Sequence, residues 1–248
     1  MDEKFIRSIK IDWDKIEKNN YIRSIPSIYS INELKFTKNV TFFVGENGTG
    51  KSTLLESIAV AYGFNPEGGT RNFNFETRST HSDLHGAIRV IKGVLKAKSN
   101  FFLRAESFYN VASKIEDYRD DDYETYYKRY GGKSLHDQSH GESFLALIQS
   151  QFTEKGLYIL DEPEAALSPQ RQLTLLILIH DLAQRGAQFF IATHSPILLG
   201  MPEASILSFD NGKISEVKYE DTESYKITEL FINNKESLLN NLLNNKKF

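Results

Sequence analysis

The 248-residue chain is 40% hydrophobic and 25% charged, with a formal net charge of -3; this is the balance of a soluble globular protein long enough to bury a substantial core. It contains no cysteine, which excludes a disulfide framework, a thiol nucleophile and a cysteine-ligated zinc site, and which agrees with a cytoplasmic location. The longest strongly apolar run, residues 173–179, falls far short of the roughly 20 residues of a membrane span, so no membrane insertion is expected, and the weak net charge leaves open whether a local patch meets nucleic acid.

In chain order, residues 5–11 and 29–36 alternate apolar and polar side chains, which predicts antiparallel strands leading into the apolar strand at residues 40–44. Residues 45–52 then read Gly-Glu-Asn-Gly-Thr-Gly-Lys-Ser. This is the pattern G-x-x-x-x-G-K-[ST] set between a strand and a helix, a P-loop. Gly45, Gly48 and Gly50 let the backbone curl so that N–H groups turn inward on a phosphate at the positive end of the following helix. The candidate nucleotide-binding residues are therefore Gly45, Glu46, Asn47, Gly48, Thr49, Gly50, Lys51, Ser52 and Thr53. Lys51 would reach the β- and γ-phosphates, and the Ser52 hydroxyl would hold Mg²⁺.

The P-loop helix is predicted from about Lys51 to Tyr62, with Leu54, Leu55, Ile58 and Ala61 on its buried face and a stop near Gly63 and Pro66. Residues 65–81 form a Gly-, Asn- and Thr-rich loop carrying Arg71 and Arg78, either a strand-binding surface or a solvated loop. A helix is expected over residues 82–96, on the spacing of Leu84, Ile88, Ile91 and Leu95, followed by a buried strand at 101–105. Residues 107–135 read as a peripheral helical arm with a tyrosine cluster, hinging at Gly131-Gly132 into a helix over about 141–152. Residues 156–162 form an apolar strand ending in Asp161 and Glu162. A helix follows from Pro169 to about Gln184, with Leu173, Leu176, Ile177 and Ile179 as its apolar markers. The apolar strand 188–193 ends at His194, and residues 205–217 read as a hairpin around Asp210-Asn211-Gly212. The tail, residues 222–248, holds one or two amphipathic helices.

Strands followed by helices, with functional groups at the strands' C-terminal ends, imply an α/β fold whose ligand lies at that edge of a largely parallel sheet, with the antiparallel pieces at both ends of the chain forming a side sheet. Asp161 suits holding Mg²⁺ through Ser52 or a water, and Glu162 suits orienting or deprotonating an attacking water; as strand neighbours they would point opposite ways. His194, at another strand end, could hydrogen-bond a γ-phosphate or that water.

With the P-loop at 45–52, Gln138-Ser139-His140-Gly141-Glu142, the acidic strand to Glu162, the turn Glu164-Ala165-Ala166-Leu167-Ser168 and His194 in that order, the chain resembles ATP-binding-cassette ATPases of the soluble branch that includes RecF-like and SMC-like proteins. The resemblance covers roughly residues 30–210. It implies a single ATPase domain over residues 1–248: an ABC-type head of the P-loop NTPase class with a mainly parallel central sheet, an antiparallel side sheet and a small helical arm. It also implies ATP and Mg²⁺ as ligands, with Lys51, Glu162 and His194 catalytic and Ser52 and Asp161 at the metal. Glu106 is the best surrogate for the absent Q-loop glutamine, as a metal or water contact or as plain surface. The signature of one copy, Ser139, Gly141 and Glu142, would close over the ATP of another, so the active form would be an ATP-dependent homodimer. Ser139 followed by Glu142 is equally a capping box. The signature departs from the family's Leu-Ser-Gly-Gly-Gln in having His140 at the first glycine, and Ser168 stands where the D-loop aspartate belongs. Tyr21, Tyr29 and Arg7 are the candidates for stacking on adenine. DNA repair or defence, with a nucleic-acid or protein partner, is one expected setting; the nucleotide-binding subunit of an ABC transporter and a switch with negligible turnover are the alternatives.

Overall fold

Two sheets share the described part of the chain, which in this computed structural model comprises residues 4–66, 68–69, 82–105, 108, 111–113, 127–128, 130 and 132–244. Strands β1 (Ile6–Ile11), β2 (Glu33–Lys35) and β4 (Ile88–Lys92) form an antiparallel side sheet in the order β2-β1-β4. The central sheet runs β5-β6-β7-β3-β8-β9, built from β3 (Val40–Val44), β5 (Asn100–Arg104), β6 (Leu157–Asp161), β7 (Gln188–Ala192), β8 (Ser205–Ser208) and β9 (Ser215–Val217). Its pairings are parallel except for the β8–β9 hairpin, which extends this sheet through β3 instead of joining the side sheet as expected.

Every residue of β3, β6 and β7 is buried, because these strands are covered on both faces, which accounts for their unbroken apolar runs. Alternate side chains divide between two cores. Phe42, Phe101, Tyr158 and Phe189 pack under helices α2 (His140–Gln151) and α3 (Pro169–Gln184). Phe43, Phe102, Ile159 and Phe190 pack under helix α1 (Lys51–Tyr62) and the inner face of the side sheet, through Leu54, Leu55, Ile58, Ile6 and Ile9. Buried Gln188 fastens the two sheets together: its Oε1 accepts from the N–H groups of Phe5 and Ile6 at 2.9 Å each, and its Nε2 donates to the Ile6 carbonyl at 2.8 Å.

The structure corrects several sequence expectations. Residues 82–96 are not a helix: Leu84–Ala87 makes a single turn and β4 follows. The β-branched residues Ile88 and Val90 pair with Ile11 and Ile9 of β1 and face the core, while Leu95 is 46% exposed. Sheet pairing has overridden a fortuitous helical spacing. The second expected strand is shortened to β2, because Pro26–Tyr29 forms a helical turn. Helix α1 has the expected bounds, but its small buried residue is Ala59 rather than Ala61. Helix α3 also starts and ends as expected, with its phase misread. Leu175, Ile179, Leu182 and Ala183 are buried, whereas Leu173 and Ile177 are 47% and 60% exposed. In a helix this rich in Leu and Ile the periodicity does not fix which side faces inward. The tail is one helix, α4 (Glu223–Asn244), with a non-helical residue at Asn234, and none of its residues is buried. Arg71, Arg78, Glu106, Tyr123, Tyr126 and most of the arm lie outside the described residues. No helix among the described residues is long and apolar enough to cross a membrane.

Candidate functional site

The loop between β3 and α1 is shaped by glycines at positive φ: 140° at Gly45, 82° at Gly48 and 96° at Gly50. Gly50 is constrained twice, since a Cβ there would lie 2.7 Å from Ile28 Cδ1 and 2.9 Å from Ile25 Cγ2. Ser27 anchors the loop from outside by donating from its hydroxyl to the Thr49 carbonyl. From the other side Asp210, in the β8–β9 turn, accepts the Glu46 N–H at 3.1 Å. Thr49 Oγ1 donates to the Glu46 carbonyl at 2.8 Å, and the exposed Asn47 and Gly48 form the crest. Thr53 lies in the first turn of α1, its carbonyl accepting from Ser57.

Lys51 is only 4% exposed, and its ammonium donates to the carbonyls of Gly45 at 2.7 Å and Glu46 at 2.9 Å. Burial pushes its pKa below the usual lysine value, opposed by the negative charges of Glu162, Asp210, Asp161 and Glu164. The cation is thus held in the mouth of the loop among four carboxylates, on local acceptors that a phosphate oxygen could replace.

One residue on, the Ser52 hydroxyl donates to Asp161 Oδ1 at 2.9 Å. The two come from α1 and the end of β6, and Asp161 is 7% exposed. This places two hard oxygen donors where the P-loop helix begins, a set that fits Mg²⁺, which keeps several waters and takes few protein ligands. Among the described residues no three His, Cys, Asp or Glu side chains form a metal cage.

Glu162 does not share the strand with Asp161. It adopts φ 51°, ψ 50° and starts the 3-10 turn Pro163–Ala166, while its N–H donates to the Ala192 carbonyl at 2.9 Å. The expectation of two strand neighbours on opposite faces is therefore replaced by a left-handed turn at Glu162, an outlier of the kind that accumulates at functional sites. Ser52, Arg104, Ala105, His140, Asp161, Glu162 and Ala165 line a cavity of about 340 Å³. His194 is exposed, and its N–H donates to Glu164 Oε1 at 2.6 Å. It lines a separate cavity of about 930 Å³ with residues 45–49, the Asp210–Gly212 turn and the start of α4.

At the N-terminus of α2, the Glu142 carboxylate accepts from the Ser139 N–H at 3.1 Å and the Ser139 hydroxyl at 2.6 Å. These bonds, the hydroxyl first, hold Glu142 below the usual carboxylate pKa. Arg171 pairs with Glu142 at 3.0 Å and packs on Gly141, where a Cβ would come within 2.7 Å of its guanidinium. Neither Ser139 nor Gly141 lines the two cavities beside the P-loop, whereas His140 lines the smaller one. Its ring meets Phe108 edge-on with centroids 5.3 Å apart.

Three participants escaped the sequence reading. Asp210 was legible only as a turn residue. Arg104 was hidden in an apolar strand, although a charge at the end of such a strand is itself a signal, and Glu56 was one polar residue among several on α1. As for the adenine candidates, Tyr29 meets Trp13 edge-on at 4.9 Å, and Arg23 lies over both rings. Tyr21 is 57% exposed, and Arg7 lies on the side sheet.

Comparison with known proteins gives two family matches: the family described as "ABC transporter" over residues 33–165, and that described as "AAA domain, putative AbiEii toxin, Type IV TA system" over residues 134–200. No curated protein matches the chain significantly. Among solved structures, a chain of an inward-facing ABC transporter is similar at 16% identity and a TM-score of 0.51, covering 92% of this chain and 89% of that one. The SMC head domain from Thermotoga maritima aligns at 15% identity and a TM-score of 0.45, over 86% and 98% of the two chains. CbiO1 of the Clostridium perfringens CbiONQ transporter aligns at 17% and 0.47, over 94% and 97%. With more than half of its length inside the first family match, and a P-loop joined to an acidic strand end at one edge of a mainly parallel sheet, the chain belongs to the ABC transporter family as an ABC-type ATPase domain.

Proposed function

We propose that the chain is a single-domain, Mg²⁺-dependent ATPase whose active form is a head-to-tail pair of copies closed on ATP. The observation that carries the reading is the 2.9 Å hydrogen bond from Ser52 to Asp161 beside the glycine-shaped loop, with Glu162 next in the chain. The P-loop N–H groups and the start of α1 bind and orient the phosphates. Lys51 exchanges its bonds to Gly45 and Glu46 for phosphate oxygens. Ser52 and Asp161 would hold Mg²⁺, which when bound would supply neutralisation of the phosphate charge. Glu162, fixed by its turn on the wall of the smaller cavity, accepts the proton of the attacking water at its carboxylate. His194, just beyond the end of β7, hydrogen-bonds the γ-phosphate.

Support for the pair comes from the signature. Ser139 and Gly141 stand at a helix start and line neither cavity beside the P-loop of their own chain, which suits a contact with the ATP of a second copy. The test is Glu162→Gln: turnover should fall by about 10²–10⁴-fold while ATP binding persists and an ATP-dependent dimer accumulates in light scattering. Unchanged steady hydrolysis would remove Glu162 from the role of general base.

A further inference from the structure

Arg104 ends β5 directly beside Asp161 in the parallel register. Its Nη1 donates to Glu56 Oε2 at 2.9 Å, and its Nε lies 3.7 Å from Asp161 Oδ2. The other Asp161 oxygen, Oδ1, takes the Ser52 hydroxyl. Ser52 and Glu56 stand one turn apart on α1, so the contacts form a ring running from the helix through Asp161 and Arg104 and back to the same helix. The side chains in it are shielded, at 24% exposure for Arg104, 14% for Glu56 and 9% for Asp161. A carboxylate on a single strand-end residue can rotate about its Cβ–Cγ bond. Here Oδ2 faces the guanidinium at ion-pair distance, longer than a hydrogen bond, and Oδ1 faces Ser52.

We infer that Arg104 is a positioning residue: tethered by Glu56, it fixes the Asp161 carboxylate so that Oδ1 stays presented, with the Ser52 hydroxyl, to a divalent cation. The inference rests on the proposed metal role of Ser52 and Asp161. It also has a definite sign. A guanidinium that merely repelled an incoming cation would weaken metal binding, and its removal would tighten it by Coulomb's law. A guanidinium that orients the ligand does the reverse, because partners that orient a ligand typically change metal affinity by about 10–100-fold. Lysine keeps the charge but cannot span two carboxylates with a planar fork.

The experiment titrates Mg²⁺ into the full-length protein with a fluorescent, non-hydrolysable ATP analogue and reads the half-saturating Mg²⁺ concentration, without turnover. Arg104→Met should raise that concentration by about 10–100-fold, Arg104→Lys by less, and Glu56→Gln by a few-fold at most. If Arg104→Met folds poorly because it strands the Glu56 carboxylate, the double variant Arg104→Met with Glu56→Met removes that charge and is read in the same way. Asp161→Asn is run alongside. If Asp161→Asn weakens the metal response and Arg104→Met leaves it unchanged or tightens it, the positioning role is overturned while the metal site stands. If Asp161→Asn itself has no effect, the metal reading falls and the inference falls with it.

Discussion

The P-loop edge and the start of α2 are both helix N-termini, and both are assigned to phosphate under the proposed function, yet they are built differently. At α1 the donors are gathered by distant parts of the chain: Ser27 and Asp210 brace the loop, and Asp161 meets Ser52 across the sheet. At α2 the Ser139–Glu142 bonds lie within one helical turn, and Arg171 of α3 joins them. The Ser139 hydroxyl could engage a phosphate only by leaving Glu142 for a new acceptor. Under the proposed pairing, phosphate binding and closure are separable: one copy would bind ATP through its own P-loop, and the signature would contribute when its own bonds are traded.

The largest expected effect breaks the first region. Lys51→Met removes the buried cation from the mouth of the loop and should cost about 10²–10³-fold in ATP affinity, read by equilibrium binding to the isolated protein. Ser139→Ala should be smaller and of a different kind. ATP affinity at low protein concentration should stay within about two-fold, while turnover falls roughly 10-fold or more. Mixing the Lys51→Met and Ser139→Ala proteins should restore measurable turnover, because a mixed pair contains one composite site with both halves intact. Failure of that mixture to exceed either parent would remove the head-to-tail arrangement.

The smallest effect belongs to Glu142. Its pKa is held below 4.5 in the folded chain, so the carboxylate's stabilisation of the α2 start is fully present above pH 4.5 and is lost as pH falls through the lowered value. Glu142→Gln, which keeps an acceptor but does not titrate, should flatten this part of the acid limb. Melting curves between about pH 3 and pH 7 measure the difference. The effect should shrink in salt, since the side chain is exposed.

Much of this was legible in the sequence because it is local. The P-loop spacing, the bounds of α1 and α3 and the apolar runs of β3, β6 and β7 follow from short-range pattern. What escaped depends on distant pairing. Residues 88–92 carry helix-like spacing, yet become a strand because β1 offers a partner. Leu173 and Ile177 look as buried as Leu175 until the packing of α3 is known. Asp161 and Ser52 are readable as motif residues, whereas Arg104 and Glu56 acquire their place only when β5 and α1 are brought against β6. The turn at Glu162 was missed for a related reason: nothing in Leu-Asp-Glu-Pro announces a left-handed backbone at a glutamate.

That turn carries a consequence for how this protein would age under selection. A left-handed conformation costs an L-residue about 1–2 kcal/mol, and glycine would escape this at the expense of some unfolded-state entropy. A Glu162→Gly change therefore stands to gain roughly 2–4 °C of heat resistance for each net kcal/mol in a chain of this size. It would do so by deleting the side chain to which the proposed proton transfer is assigned. Selection for durability alone would drift toward a sturdier and silent protein, so heat resistance and turnover would pull in opposite directions at this position.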